Sequence, residues 1–346
     1  MIKIAINGFG RIGRLALRRV LENHHDIEVV AINDLADLET AAYLLKQDSV
    51  YGPLNREIVM EKGGNGAIGK ITVGNQSILI FSQTDPLSLP WEELGVQIVL
   101  ECTGKLTSHK EAAKHLEAGA KKVIISANSK DADVSLVLGV NEETYDQNFH
   151  QIIANCSCTT NCAAPVLKVI DSALGIEKVL LTTVHAVTAS QSLVDGPKKD
   201  IREGRAAFAN IIPAGTGASE AVVRVLPKLE GRISGSAFRV PVMTGSVLEV
   251  IVQTTKETDV NEVNKIFKKA SEKQMKGIIA VSQEPLVSSD IIGNSHSAIV
   301  DLPLTEVINL PKTKDRNLVK IVAWYDNELG YACRLVELTE YVAKML

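Results

Sequence analysis

The sequence lacks the features that mark several classes of protein. It contains no long run of basic residues and no basic patch interleaved with aromatic side chains, and its formal net charge is a mild −4. No apolar stretch approaches the length of a membrane span. The amino terminus enters a strand pattern directly, without the basic region, apolar core and cleavage site of a secretory signal. We therefore expect neither a nucleic-acid partner nor a membrane partner.

Disulfide and metal-site spacings are missing as well. The cysteines are odd in number and fit no disulfide framework, which is typical of a reducing compartment and indicates a cytoplasmic protein. No histidine lies near the group of three cysteines, and no second cysteine pair matches it, so we expect no bound metal. The cysteines are Cys102, Cys156, Cys158, Cys162 and Cys333.

A glycine-rich turn follows the first strand pattern. The apolar run from Ile2 to Ile6 leads into NGFGRIGR, which contains the pattern G-x-G-x-x-G, and then into the helical pattern LALRRVLEN. Glycines allow a tight turn and a close approach of the backbone to a pyrophosphate, which the N–H groups and dipole of the helix can bind. Because a strand precedes the pattern and a helix follows it, we expect a dinucleotide site here.

An acidic residue stands where such a site needs one. The strand pattern from Ile27 to Ile32 ends in Asn33-Asp34, about twenty residues beyond the last glycine. A carboxylate at this point accepts hydrogen bonds from the ribose 2′-hydroxyl and repels a 2′-phosphate. Asp34 is therefore interpreted as a ribose ligand that favours NAD over NADP, and the alternative is a residue that only opens a loop.

Three cysteines fall where a strand passes into a helix. The run from Gln151 to Ala154 predicts a strand, and the stretch from Ala163 to Leu174 predicts a helix. A cysteine at this point meets unpaired backbone N–H groups and the positive end of the helix dipole, which lower the pKa of a thiol. The segment indicates either a reactive thiol or small buried packing residues.

A histidine and a polar stretch follow. The strand pattern from Lys178 to Val184 ends at His185, which is either a structural residue or the base of a reactive thiol. Beyond it, TASQSLVDGPKKD, two arginines and PAGTGAS combine hydroxyls, glycine N–H groups and guanidinium groups, which a phosphate-bearing ligand requires. From the residues alone, a solvated surface loop is the better interpretation of this stretch.

Two kinds of pattern divide the chain. At 346 residues it is longer than one core usually supports, which favours two domains. In the first half, apolar strands alternate with helical patterns, which is typical of a doubly wound parallel sheet of the Rossmann type. From Arg232 onward, long strands follow one another with few helices between them, which indicates a mainly antiparallel sheet. The predicted fold class is therefore α/β in the first part and α+β in the second.

Seven segments in one order carry a resemblance to a known family. They are NGFGRIGR, INDL, SCTTNC, TTVHAVTASQSLVDGP, NIIPAGTGAS, AFRVP and WYDNELGYACR. Together they resemble the phosphorylating glyceraldehyde-3-phosphate dehydrogenases over nearly the whole chain. The resemblance implies a cytoplasmic homotetramer that uses NAD and inorganic phosphate to convert glyceraldehyde 3-phosphate to 1,3-bisphosphoglycerate through a cysteine thioester. It also implies an NAD-binding domain at 1–157, a catalytic domain at 158–322 and a C-terminal segment at 323–346 that returns to the first domain.

The resemblance assigns roles to individual residues. Cys158 would be the nucleophile and His185 its base. The residues that would bind glyceraldehyde 3-phosphate and inorganic phosphate are Ser157, Cys158, Thr159, Thr188, Arg202, Thr216, Gly217 and Arg239. The residues that would hold NAD are Gly8, Gly10, Arg11, Ile12, Asp34, Ser126 and Asn327, of which the last would reach the nicotinamide amide.

Several positions depart from the family's usual sequence. RVPVMTGS stands where many members have RVPTPNVS, and because Arg239 is kept we expect altered packing near it more than lost activity. The changes at Thr84 and Asn128 favour looser contacts on the adenine side. The single-residue departures are Thr84 for Arg, Asn128 for Pro, Cys156 for Ala and Leu329 for Trp.

Two other functions fit parts of the pattern. Erythrose-4-phosphate dehydrogenases are related enzymes that tend to change the substrate-phosphate residues, whereas Thr188 and Thr216-Gly217 have the triose-phosphate form here. A non-catalytic NAD-binding interaction module is the other alternative, and the presence of both Cys158 and His185 argues against it. A preference for NADP would conflict with Asp34.

Overall fold

The computed structural model describes residues 1–64, 66–308 and 317–346. The chain forms two compact units, which are named here by their order. Unit 1 comprises Met1–Leu136, Glu143–Cys156 and Ala332–Leu346, and unit 2 comprises Val137–Glu142 and Ser157–Tyr331. In the described ranges, no helix is both long enough and apolar enough to cross a lipid bilayer.

The described part of unit 1 is built on one nine-stranded sheet. Its inner strands are buried because a parallel sheet is covered on both faces, and their sequences are accordingly continuous apolar runs. The strands are β1 (Ile2–Asn7), β2 (Ile27–Asn33), β3 (Ile58–Lys62), β4 (Gly69–Val73), β5 (Gln76–Phe81), β6 (Ile98–Glu101), β7 (Lys122–Ile125), β8 (Val134–Ser135) and β9 (Ile152–Ala154). The helices that accompany them are α1 (Arg11–Asn23), α2 (Leu38–Lys46), α3 (Trp91–Leu94) and α4 (His109–Glu117).

The strand order in unit 1 is β3-β4-β5-β2-β1-β6-β7-β9-β8. The strands from β5 to β8 pair in parallel, whereas β3, β4 and β5 form an antiparallel extension at one edge. The order runs outward in both directions from β1 and β6, and a doubly wound sheet binds its ligand at the carboxyl ends of such a pair. The doubly wound parallel sheet predicted from the sequence is confirmed.

The described part of unit 2 contains the second sheet and three helices that lie wholly within it. The helices are α5 (Cys158–Leu174), α6 (Ala218–Val225) and α7 (Val260–Glu272). Asp259 caps α7, since its carboxylate accepts a hydrogen bond from Glu262 N at 2.9 Å. The strands are β10 (Ile176–His185), β11 (Ile212–Ala214), β12 (Ile233–Arg239), β13 (Ser246–Thr254), β14 (Ile279–Ser282), β15 (Ala298–Asp301), β16 (Glu306–Ile308) and β17 (Leu318–Tyr325).

The strand order in unit 2 is β11-β12-β10-β13-β17-β15-β14, and β16 also pairs with β17. Most of these pairs are antiparallel, and the parallel ones are β10 with β12 and β14 with β15. The predicted, mainly antiparallel sheet is therefore confirmed. Burial alternates along β13, which is what a sheet covered by helices on one face produces.

The last helix, α8 (Leu329–Ala343), follows β17, and residues 332–346 cluster with unit 1. Within that unit, Glu340 contacts the imidazole of His24 at 2.6 Å, and the ring of Tyr341 packs edge-on against Tyr145. Leu335, Leu338 and other apolar residues of the helix are fully buried. The apolar residues of α8 from Ala332 onward are thus part of the core of unit 1.

Candidate active site

Cys158 is the first residue of α5, and Ser157 is its N-cap. The Ser157 hydroxyl accepts a hydrogen bond from Thr160 N at 3.2 Å, which satisfies one of the free N–H groups of the first turn. The helix begins at Cys158 and not at Ala163, where the apolar pattern predicted its start. Thr159, Thr160 and Asn161 have modest helix propensity, so the cap and their burial in the folded chain stabilise them as a helical turn.

His185 ends β10 and faces the cysteine. Its Nε2 atom lies 3.3 Å from Cys158 Sγ, and its Nδ1 atom lies 2.7 Å from Ala186 O. A carbonyl oxygen can only accept, so Nδ1 carries the proton and Nε2 of the neutral ring is an acceptor directed at the sulfur. This is the arrangement of a nucleophile and its base, with the carbonyl orienting the imidazole.

The electrostatics of the pair differ from the expectation for a helix start. Burial raises the pKa of Cys158, although the Arg239 guanidinium and the Thr159 N–H act in the opposite direction. Burial, followed by the charge of Arg239, lowers the pKa of His185 to about 4. Each charge alone is disfavoured in this setting, so a thiolate at Cys158 requires that the adjacent His185 take its proton, which makes the two groups one coupled pair. The helix start assists the thiolate but does not create it.

Arg239 is placed beside the pair by strand register. It ends β12 and is the register partner of His185 on the parallel neighbour β10. On its other side it pairs with Ile212 of β11, from which the chain continues to Thr216 and Gly217. Gly217 caps α6 without a side-chain hydrogen bond, and the Thr216 hydroxyl accepts from Ala218 N at 3.1 Å. The segment with Thr216 and Gly217 thus follows the strand that pairs with the end of β12, where Arg239 lies.

Three further residues predicted to bind the substrate, Thr159, Thr188 and Arg202, have different surroundings. The Thr159 hydroxyl contacts Tyr325 OH at 3.0 Å, and the Thr188 hydroxyl contacts Ser190 Oγ at 2.9 Å. Arg202 has an exposed side chain, and its backbone N–H donates to Asp200. Across the described ranges, no hydrogen bond or ion pair joins the Arg202 guanidinium to the other predicted ligands. Its predicted role stays a prediction.

Tyr325 was missed by the sequence analysis. Its hydroxyl lies 2.7 Å from Thr183 Oγ1 and contacts Thr159, and its ring meets the ring of His185 edge-on at 6.0 Å between centroids. The side chain is only 1% exposed. Tyr325 therefore packs against the first turn of α5 through Thr159 and against the ring of His185. The available signal was its position at a strand end, two residues before Asn327.

The glycine turn of unit 1 has the form that a pyrophosphate requires. A Cβ on Gly8, which has φ +94°, would lie 2.5 Å from Thr103 N, and a Cβ on Gly13 would lie 2.2 Å from Gly8 O. A Cβ on Gly10 would meet none of the described atoms within 4 Å, and Gly10 caps α1 without a side-chain hydrogen bond. The uncapped helix start thus opens onto free space, which suits a phosphate group.

Other predicted NAD ligands surround the same strand ends. Asp34 accepts hydrogen bonds from Phe9 N at 2.6 Å and from Ala36 N at 3.0 Å, which ties the end of β2 to the glycine turn. Its two oxygens keep lone pairs for a ribose hydroxyl. Ser126 follows β7, and its N–H donates to Glu101 O at 2.9 Å. The donor set and the open turn fit NAD.

Arg11 and Ile12 begin α1, and they differ in what they can offer a ligand. The guanidinium of Arg11 is ion-paired with Asp48 and lies over the ring of Tyr51 at 5.6 Å from its centroid. Its charge is therefore already engaged within unit 1. The backbone N–H groups of Arg11 and Ile12, in the first turn of the helix, are the groups suited to a phosphate.

Comparison with known proteins identifies the family. The model of the glyceraldehyde 3-phosphate dehydrogenase NAD binding domain matches residues 2–109, and that of the C-terminal domain matches residues 157–327. A glyceraldehyde-3-phosphate dehydrogenase from Geobacillus stearothermophilus is 48% identical over 342 residues, which covers 99% of this chain and 98% of the relative. Glyceraldehyde-3-phosphate dehydrogenase 2 from Streptomyces avermitilis is 47% identical over 345 residues, with 100% and 99% coverage. The resemblance seen in the sequence is confirmed, and the chain belongs to the glyceraldehyde 3-phosphate dehydrogenase family.

Proposed function

We propose that Cys158 and His185 carry out the NAD-dependent oxidation of glyceraldehyde 3-phosphate and the transfer of the product to inorganic phosphate. The observation that carries this assignment is the 3.3 Å contact between Cys158 Sγ, at the start of α5, and His185 Nε2. His185 is also the register partner of Arg239 on the neighbouring strand. A nucleophile and an oriented base at a helix start are the groups that a covalent mechanism on an aldehyde needs.

The geometry gives each residue a step. His185 Nε2 accepts the thiol proton as Sγ of Cys158 bonds to the aldehyde carbon, and the N–H groups of the first turn of α5 stabilise the oxyanion. The imidazolium returns the proton to that oxygen. NAD, when bound, would accept the hydride from the substrate carbon. His185 takes the hydroxyl proton as the carbon is oxidised, and Cys158 then carries a thioester. Inorganic phosphate attacks the thioester carbon, and the thiolate leaves.

We also propose which residues bind the phosphate groups of the substrate and of inorganic phosphate. Arg239 supplies a charge that can pair with a phosphate, and Gly217 supplies the uncapped start of α6. Thr188, Thr216, Ser157 and Thr159 add hydroxyls, and Arg202 adds a second guanidinium from the exposed loop. Holding the phosphate of the substrate fixes the aldehyde carbon near Cys158, so these residues contribute to the rate as well as to binding.

The NAD site is proposed to use the glycine turn for the pyrophosphate and Asp34 for the adenosine ribose. Gly8 and Gly10 allow the approach, Arg11 and Ile12 supply backbone N–H groups, and Ser126 lies at a neighbouring strand end. Asn327 is proposed to bind the nicotinamide amide. The NAD-binding domain would span 1–157 and the catalytic domain 158–322, with 323–346 returning to the first. The two compact units support this division in outline, although residues 137–142, 157 and 323–331 cluster with unit 2.

Replacing Asp34 with asparagine is expected to lower the preference for NAD over NADP. Asparagine keeps an oxygen for the backbone N–H of Phe9 but removes the charge that repels a 2′-phosphate. The ratio of kcat/KM for the two cofactors should fall by about tenfold or more. Asp37→Asn is the matched control, because Asp37 is an exposed carboxylate three residues away that only caps α2. An unchanged ratio in Asp34→Asn would remove the proposed role.

We also propose the oligomeric state and the location of the enzyme. Seven large apolar side chains in the described part of unit 2 are more than half exposed, and exposed apolar area of this kind is typical of a subunit interface. They are Leu180, Leu193, Val194, Ile201, Ile211, Met243 and Val287. With the family resemblance, this supports a homotetramer, which light scattering can test against a monomer. Within the described ranges, none of the five cysteines forms a disulfide, which is typical of a reducing compartment and supports the proposed cytoplasmic location.

The experiment that tests the activity is NADH formation from glyceraldehyde 3-phosphate, with and without inorganic phosphate. Sustained turnover should require phosphate, because only phosphate removes the acyl group from Cys158. Erythrose 4-phosphate in place of the triose should support slower turnover. Equal rates without phosphate would contradict the thioester route, and faster turnover of the tetrose would assign the chain to the related activity.

A further inference from the structure

Three strand ends of unit 2 meet beside the catalytic pair. β10 ends at His185, β13 begins at Ser246, and β17 ends at Tyr325, one residue before Asp326-Asn327. β13 lies between the other two strands, with Val247 opposite Val184 and Ser246 opposite Tyr325. The side chain of Ser246 therefore starts from a position between the base and Asn327.

The hydroxyl of Ser246 makes one bond to each side. It lies 3.0 Å from Ala186 N and 2.8 Å from Asn327 Oδ1. An amide N–H can only donate, so Ser246 Oγ accepts from Ala186 and keeps its single proton for Asn327 Oδ1. Ser246 is fully buried, so no bulk solvent replaces either bond.

Ser246 is linked to the proposed base, His185, through one residue, Ala186. The N–H of Ala186 is held by Ser246, and the carbonyl of the same residue accepts the Nδ1 proton of His185 at 2.7 Å. That carbonyl fixes the tautomer that leaves Nε2 as the acceptor facing Cys158. Holding the backbone of Ala186 therefore holds the direction of the imidazole.

On the other side the bond fixes the orientation of an amide. Asn327 Oδ1 also lies 3.2 Å from Gly245 N and 3.2 Å from Thr244 Oγ1. Because a backbone N–H points at this atom, it is the oxygen, and the NH₂ group is turned away from these donors. In the described ranges, Asn327 Nδ2 has no hydrogen-bond partner. It is thus left as a directed donor.

The chain's departure from the usual RVPTPNVS lies within this arrangement. Thr244 and Gly245 are two of the changed positions, and both contact Asn327 Oδ1. Gly245 has φ +88°, and a Cβ there would lie 2.3 Å from Ser288 O. Glycine is therefore required for the turn that brings its N–H to Asn327.

We propose that Ser246 is a positioning residue that couples the catalytic base to the nicotinamide-binding amide, through Ala186 on one side and Asn327 on the other. The inference rests on the proposed roles of His185 and Asn327. It predicts that a change at Ser246 alters the thiol chemistry of the enzyme without NAD and the turnover of the enzyme with NAD, although Ser246 touches neither substrate nor sulfur.

The test uses Ser246→Ala in the full-length enzyme. We expect kcat to fall about tenfold while KM for glyceraldehyde 3-phosphate changes less than about twofold, because the substrate ligands are untouched. In the NAD-free enzyme, the rate at which iodoacetamide alkylates Cys158 at pH 7 should fall about threefold or more, because the base is less well directed. Ser246→Cys makes the side chain slightly larger and replaces the hydroxyl by a poor donor. If the alanine variant does not fold, this variant should change both rates in the same direction, with alkylation measured on the peptide that contains Cys158.

Thr254→Val is the matched control. Thr254 ends the same strand, is equally buried, and uses its hydroxyl only for backbone carbonyls, including Lys256 O at 2.8 Å. Both rates should stay within about twofold in this variant, whatever its loss of stability. If His185→Asn lowers alkylation but the Ser246 variants do not, the coupling is wrong and the proposed function stands. If His185→Asn leaves alkylation unchanged, the proposed role of His185 as the base of Cys158 fails, and the coupling through Ser246 fails with it.

Discussion

Replacing Cys158 with serine is expected to lower kcat by about 10⁴-fold or more. Serine keeps the shape of the side chain at the start of α5, so the helix cap and the contact with His185 can remain. A hydroxyl is a far weaker acid than a thiol, so the neutral imidazole cannot take its proton to the same extent, and an oxygen ester would replace the thioester. The measurement is turnover with glyceraldehyde 3-phosphate, NAD and phosphate, with NAD affinity measured separately.

Cys162→Ala provides the control for the loss of a thiol in this helix. Cys162 lies one turn after Cys158, is fully buried, and has a pKa raised by burial, so it is an unreactive packing residue. Its replacement should leave kcat within about threefold, with a modest loss of stability from the small cavity. If Cys158→Ser kept most of its activity, or if the two variants lost activity equally, Cys158 would not be the nucleophile.

Replacing His185 with asparagine is expected to lower kcat by about 10²- to 10⁴-fold and to change how Cys158 reacts with pH. Burial raises the pKa of the Cys158 thiol, and His185, whose Nε2 atom faces the sulfur, is the group proposed to accept its proton. Without that acceptor the thiolate forms only at a pH above the usual range of a cysteine. Iodoacetamide should therefore label Cys158 readily at pH 7 in the unchanged enzyme, but only under alkaline conditions in His185→Asn.

His109→Asn is the control for the loss of a histidine as such, because His109 is half exposed and pairs with Asp133 in unit 1. Its alkylation profile should match that of the unchanged enzyme. An identical pH profile in His185→Asn would show that the helix start and Arg239 suffice to form the thiolate. The account of a coupled pair would then be wrong.

The parts of the fold that follow from local pattern could be predicted from the sequence. The largely apolar sequences of β1, β6 and β7 indicate strands buried on both faces over most of their length, and the glycines at 8, 10 and 13 mark the turn between the first strand and helix. The alternating burial of β13 likewise belongs to a strand that a period of two reveals. These signals need no knowledge of distant contacts, which is why the fold class was correct.

The start of α5 could not be placed in the same way. Thr159, Thr160 and Asn161 are poor helix formers in isolation, and burial in unit 2 overrides that preference. The pKa of Cys158 is a similar case, because the sequence shows the helix start but not the burial that outweighs it. Both results depend on tertiary packing.

The composition of the site depends on strand pairing between distant segments. Arg239 adjoins His185 only because β12 pairs with β10 in parallel, and Tyr325 reaches the site only because β17 pairs with β13. The family resemblance named Arg239 without giving this reason. Neither Tyr325 nor Ser246 was named, because their hydroxyls act on other protein groups and so carry no motif of their own.

The measurement that tests the central claim most directly is the mass of the enzyme after it is mixed with glyceraldehyde 3-phosphate and NAD in the absence of inorganic phosphate. We predict a 3-phosphoglyceroyl group on the peptide that contains Cys158, formed together with one NADH for each acylated chain and lost when phosphate is added. NADH formation that continues with no acyl group on Cys158, or an acyl group on another residue, would contradict the account.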